Sequence, residues 1–187
     1  MKFLFVDVET TGVDPELNGL IQLAGIIEID GVVKEEFDFK ARPFKGQTVD
    51  FKALEVNGVS IKDLRTWPDP HEVYLMFKAI LDKYIDKYNK KDKFYAVGQN
   101  VGFDISFLKN FFKNNNDYYL GSYIHYHKID LIPITTILKL AGRIALDNMK
   151  LKTVMSALGM GEQTHNALDD VRIVRKVFYK YIDWVKV

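Results

Sequence analysis

The sequence predicts a mixed α/β domain, and three observations carry that reading. Extended apolar runs fill the chain between Phe3 and Lys40 and fold back on one another as a meander. Further on, short apolar runs at Phe94–Val97 and within Ser122–Leu131 alternate with helical periodicities. With 187 residues, 48% hydrophobic and 13% aromatic, the chain is long and apolar enough for one ordinary core. No internal repeat, linker or low-complexity tract divides it, so residues 1–187 read as a single domain.

Taken in order, Phe3-Leu4-Phe5-Val6-Asp7-Val8-Glu9 is a buried strand whose end carries acids, and Thr10-Thr11-Gly12 breaks it. A loop follows, marked by Asp14-Pro15 and Asn18-Gly19. Leu20–Ile29 is an apolar strand interrupted by Gln22, Gly25 and Glu28, and Asp30-Gly31 signals a tight hairpin into Val32–Lys40. Arg42-Pro43 ends the meander, and short helical pieces surround Asn57-Gly58. After Pro70, Val73, Phe77, Ile80, Leu81, Tyr84 and Tyr88 recur at helical steps and form a core stripe. Gly98–Gly102 is a turn between the fourth strand and a helix that runs past Phe111 and Phe112. His125 and His127 alternate on the next expected strand, which Pro133 closes; with no third ligand nearby they read as structural. Helices are expected over Ile134–Ala141, over Leu151–Leu158 with stops at Gly159 and Gly161, and from about Asn166 to Val185.

Composition narrows the function classes. The absence of cysteine excludes disulfides, thiolate zinc sites and cysteine nucleophiles, and it fits a cytoplasmic setting. No apolar run approaches the ~18 residues of a membrane span, and acids arrive too early for a signal peptide. A membrane partner is therefore not expected. The net charge of +1 is neutral toward a polyanionic partner, because an acidic site can offset a basic rim.

The acids are the informative residues. Asp7 and Glu9 stand two apart on a strand and so project from one face. Two unpaired carboxylates there repel, unless a cation lies between them. Asp104 falls at the first turn of a helix just past a strand, where α/β proteins place functional groups. On the last helix Ala167, Val171, Val174, Phe178 and Tyr181 share the core face. Asp170 lies beside that face, whereas Asp169 sits on the flank of Lys176 and Lys180 as an ordinary surface acid. His165, five residues before Asp170, is out of phase with it on a helix and belongs in the loop leading in. Asp130, at the end of its strand, reads as a cap or a hydrogen-bonding support.

Three stretches, Asp7-Val8-Glu9-Thr10-Thr11-Gly12, Asn100-Val101-Gly102-Phe103-Asp104 and His165-Asn166-Ala167-Leu168-Asp169-Asp170, resemble the three motifs of the DnaQ-like exonucleases in their histidine-bearing branch. Their order matches the family's, and the resemblance covers nearly the whole chain. It implies a ribonuclease-H-like fold, a mixed five-stranded sheet with an antiparallel meander and parallel strands, flanked by helices. It also implies that Asp7, Glu9, Asp104 and Asp170 are the metal-binding acids and His165 the general base. Thr10, Thr11, Gly12, Asn57, Asn100 and Phe103 become substrate-contacting positions, and Leu54 a wedge against the terminal bases. Many relatives carry His where Asn57 stands.

The activity so implied is 3′→5′ hydrolysis of a single-stranded nucleic acid from its 3′ end, releasing nucleoside 5′-monophosphates. Four carboxylates match hard ions, so two Mg²⁺ or Mn²⁺ are the implied cofactors. DNA is the favoured substrate and RNA trimming the alternative; a DNA polymerase is the partner that a proofreading role implies. A phosphatase of the haloacid dehalogenase type needs Asp where Glu9 stands and leaves His165 and Asp170 unexplained. A silent nucleic-acid-binding module on the same fold would not need all five residues.

Overall fold

A computed structural model of the protein describes residues 1–160 and 167–186. Strands β1 (Lys2–Thr10), β2 (Leu20–Ile29) and β3 (Val32–Lys40) form the antiparallel meander. Strands β4 (Tyr95–Gly98) and β5 (Ile129–Asp130) join parallel to it, giving the order β3-β2-β1-β4-β5. The mixed five-stranded sheet is thus as expected, with the acid-bearing strand at its centre.

Alternation along β1 divides the core into two layers. Leu4, Val6 and Val8 face one side, under α3 (Pro70–Tyr84) and α4 (Val101–Asn114). Phe3 and Phe5 face the other, under α7 (Ala167–Val185), α6 (Leu151–Ala157) and α5 (Leu131–Leu140). Because the side-chain period of a strand is 2, Asp7 and Glu9 continue the Phe3/Phe5 row toward α7. Helices α1 (Phe51–Asn57) and α2 (Ile61–Thr66) close a smaller cluster of Ile21, Leu54 and Leu64.

Local chemistry explains the boundaries. Asp69 caps α3 by accepting from the His71 amide, with Pro70 at the first helical position. Gly58 ends α1 in the left-handed region, at φ 64°. Ser60 and Asp63 form a reciprocal capping box on α2. Gly25 in β2 makes room for a ring: a Cβ there would stand 2.3 Å from Phe37 Cζ. We expect Gly25→Ala to cost about 1–3 kcal/mol by overpacking, visible as a fall in Tm of several degrees.

Three expectations need correction. The strand expected to carry His125 and His127 is only Ile129–Asp130; the histidines precede it, where His125 lies against Tyr95 at 4.6 Å between ring centroids. Among the described residues, alternation over His125-Tyr126-His127 has no partner strand to make it a ladder; Ile124 alone bridges to Phe94. Pro133 lies in the first turn of α5, where its missing N–H costs nothing, so it opens a helix rather than closing a strand. Tyr88 is 88% exposed, because α3 stops at Tyr84, four residues short of extending the core stripe.

Candidate active site

The site forms at the end of β1, where neighbouring strands stop. Strand β4 ends at Gly98, which lies alongside Val6, so among the described residues the β4 side of β1 beyond that point has no strand partner. Asp104 fills the gap: its Oδ1 accepts the Val8 amide at 3.1 Å, and the residue is 4% exposed. The turn that delivers it requires Asn100 in the left-handed region, φ 61°, where asparagine is tolerated. Asp130 supports that turn by accepting the Asn100 amide at 3.0 Å and caps α5 through the Ile132 amide at 3.0 Å. The supporting role expected of Asp130 is what its bonds describe.

Packing brings Asp170 toward the strand end. Phe178 of α7 meets Phe3 and Phe5 at 5.3 and 5.6 Å between ring centroids. Asp170 lies eight residues earlier, about 12 Å along the helix axis. Glu9 lies four residues beyond Phe5, about 13 Å along the strand. The two lengths match, and the Asp170 charge acts on Glu9 and Asp7, so α7 runs antiparallel to β1 with its first turn over the strand end. Burial first, then Asp104, Glu9 and Asp170, hold the Asp7 carboxyl well above the usual range. Burial and then Asp170 push Glu9 up to about 7. Burial pushes Asp104 to about 7, with Asp130 and Glu9 adding to it against the lowering hydrogen bonds of the Val8 and Asp104 amides.

Four carboxylates are thus gathered at one strand end and repel one another. Among the described residues, no three His, Asp or Glu side chains stand close enough to make a closed metal site. The donor set nevertheless fits hard divalent cations, since it is all carboxylate and its cost is like-charge repulsion and desolvation. His165 lies outside the described residues, as does Asn166.

The remaining predicted positions divide. Thr10 Oγ1 donates to the Gly12 carbonyl at 2.6 Å, and Thr11 Oγ1 donates to the Thr48 carbonyl at 2.7 Å while accepting the Gly19 amide at 2.8 Å. These hydroxyls hold the loop after β1 in shape. Gly12 is needed there because a Cβ would stand 2.4 Å from Asn18 Oδ1, and Asn18 is itself bonded to Thr48 and Asp14. Asn57 Nδ2 donates to the Thr10 carbonyl at 3.0 Å, tying α1 to the strand end. Phe103 is half-buried against Phe107, 4.8 Å between centroids. Leu54 is a correction: at 3% exposure it is packed on Ile21 and Leu64 and presents no wedge. The exposed apolar side chains of α1 are Phe51 and Val56, at 71% and 78%. Sequence spacing alone could not separate them from Leu54 in so short a helix.

Residues 4–178 match the family model described as exonuclease, RNase T. The chain belongs to that family. Relatives include the PolC-type DNA polymerase III of Thermotoga petrophila, 25% identical over 185 residues, which are 98% of this chain and 12% of that one. Ribonuclease T of Buchnera aphidicola is 27% identical over 193 residues, covering 95% of this chain and 82% of its own. The DNA polymerase III epsilon subunit of Aquifex aeolicus is 25% identical over 189 residues, covering 98% and 83%. The chain therefore spans about an eighth of the PolC-type polymerases and most of the smaller relatives. Among solved structures, zinc-bound E. coli exonuclease I with single-stranded DNA superposes with a TM-score of 0.80 at 20% identity, over 99% of this chain and 41% of that one. Cell-death related nuclease 4 superposes with a TM-score of 0.72 at 16% identity, over 98% and 64%. At these identities the likeness establishes the ribonuclease-H-like fold. Among the described residues no helix of this exonuclease-family chain is long and apolar enough to cross a membrane.

Proposed function

We propose that this chain is a single cytoplasmic exonuclease domain that hydrolyses single-stranded nucleic acid from its 3′ end, releasing nucleoside 5′-monophosphates. The observation that carries the reading is the gathering of Asp7, Glu9, Asp104 and Asp170 at the end of β1, where Asp104, Glu9 and Asp170 raise the proton affinity of Asp7, and Asp170 that of Glu9. Nothing in folding rewards that arrangement, so its use lies in binding positive charge. Asp7, Glu9, Asp104 and Asp170 would hold two divalent ions, Mg²⁺ or Mn²⁺, which when bound neutralise the phosphate and make water more acidic. An unperturbed histidine titrates at about 6.5, so His165 is the residue that would take the proton of the attacking water near neutral pH. The water oxygen bonds to phosphorus, the bond from phosphorus to the 3′-oxygen breaks, that oxygen takes a proton from solvent, and the strand is left one nucleotide shorter with a free 3′-hydroxyl. Thr10, Gly12 and Asn57 shape the backbone that the terminal nucleotide approaches, with Phe103 at its side.

The relatives support both a DNA and an RNA arm. One is named a DNA polymerase and one a DNA polymerase subunit, which favours a proofreading association with a DNA polymerase; another is named ribonuclease T. A 5′-labelled single strand incubated with Mg²⁺ or Mn²⁺ should show a ladder shortening from the 3′ end, lost in Asp7→Ala and His165→Ala. Matched DNA and RNA strands rank the two substrates. Absence of laddering on both, or variants equal to wild type, would sink the assignment.

A further inference from the structure

Glu28 is a charged residue with no exposure at all, near the end of β2. Its Oε2 accepts Arg175 Nε at 2.6 Å, and its Oε1 accepts the Tyr179 hydroxyl. The Arg175 guanidinium also lies over the Tyr179 ring, 5.1 Å from its centroid. One strand further out, Glu36 accepts from Arg172 at 2.6 and 3.1 Å, and Arg172 also donates to Asp169 at 3.0 Å. Arg172, Arg175 and Tyr179 fall on one stripe of α7, and both glutamates lie on the sheet face beneath it: Glu36 sits opposite Ile26, and Glu28 is two residues on from Ile26.

A buried ion pair is a poor way to gain stability, since an apolar pair of similar volume often does as well or better. What it supplies is direction. The core stripe of α7 rests on Phe3, Phe5, Ala24 and Ile26 through apolar contacts, which are non-directional. A slide of one turn is about 5.4 Å and would carry Asp170 away from Glu9. Arg175 is five residues from Asp170, about 7.5 Å along the axis, so a fixed point there is felt at the first turn.

We propose that Glu28 is a positioning residue for the acid site, fixing the axial place of α7 through Arg175 and Tyr179 and so holding Asp170 opposite Glu9. The link to metal rests on the exonuclease reading; the placement of the helix does not. The absence of cysteine makes a direct measurement clean. Spin labels at Lys52→Cys on α1 and Lys176→Cys on α7, both exposed positions, report the distance between the helices by double electron–electron resonance. In the E28L/R175L background, folded by circular dichroism, we expect the distance to shift or broaden by several ångströms. Mn²⁺ affinity, measured by calorimetry without substrate, should fall about tenfold or more, as for other groups that orient metal ligands. Ile80→Val on α3, which loosens the opposite layer, should leave both readouts unchanged. An unchanged distance overturns the proposal whatever happens to metal. A changed distance with full Mn²⁺ affinity overturns the coupling to Asp170. A changed distance in a protein whose wild type binds no Mn²⁺ supports the clamp and overturns the metal reading instead.

Discussion

Asp104→Asn should abolish turnover while making the metal-free protein more stable. The carboxyl is buried beneath the strand end and pushed up to about 7, chiefly by burial and then by Asp130 and Glu9. Its unfolded counterpart titrates near 4, and each step of one pKa is about 1.4 kcal/mol. Above neutral pH that difference amounts to at most about 4 kcal/mol, and sharing the repulsion with neighbouring acids brings the expected gain to about 1–3 kcal/mol. Asparagine keeps an oxygen for the Val8 amide, which Asp104 accepts at 3.1 Å, and removes the charge. In EDTA at pH 8 the Tm should rise by about 3–10 °C, while exonuclease activity in Mg²⁺ falls at least about a hundredfold. Scanning calorimetry and the laddering assay on the same preparation decide it. A lower Tm would mean that Asp104 is ordinary scaffolding, held for its hydrogen bond alone.

That trade of stability for charge is what made part of the molecule readable from sequence. Asp7 and Glu9 interrupt an apolar strand, and Asp170 breaks the pattern at the rim of a helical stripe, so each stands out against its own periodicity. The meander was legible for the same reason: Asp30-Gly31 is a local signal, and the structure puts both residues at positive φ, 52° and 80°. Features that depend on distant partners were not. Glu28 looks like one interruption among three in β2, and its bonds run to Arg175 and Tyr179, 147 and 151 residues away. Leu54 and Val56 cannot be told apart until Ile21 and Leu64 are known to lie beneath α1. His125 and His127 kept the alternation of a strand without a neighbour to pair with, since the sheet edge begins only at Ile129. Local grammar locates elements and odd charges, whereas the burial of any one side chain is decided by the layer it meets.

Metal-free protein should lose stability as pH rises from 5 to 8, the reverse of what paired surface acids produce. Glu9 and Asp104 are pushed to about 7, and Asp7 is raised as well. Between about 4, where these groups titrate in the unfolded chain, and about 7 the native state holds more protons than the unfolded one. Stability therefore falls through that window, being fullest below the unfolded values and spent once pH passes the folded ones. The acids with lowered values, Asp30, Glu35, Asp63, Asp82 and Asp92, act with the opposite sign, yet they are already ionised in both states above pH 5. Among the described residues the acids with raised values are Asp7, Glu9 and Asp104, so the carboxylate part of the slope between pH 5 and 8 belongs to the site. In EDTA we expect the Tm to drop by about 5 °C or more across it. Millimolar Mn²⁺ should restore most of the loss at pH 8 and little at pH 5, because protons and cations compete for the same oxygens. A flat profile in EDTA would show the carboxylates to be solvated rather than crowded. A steep profile that Mn²⁺ leaves untouched would show them crowded for some purpose other than holding a cation.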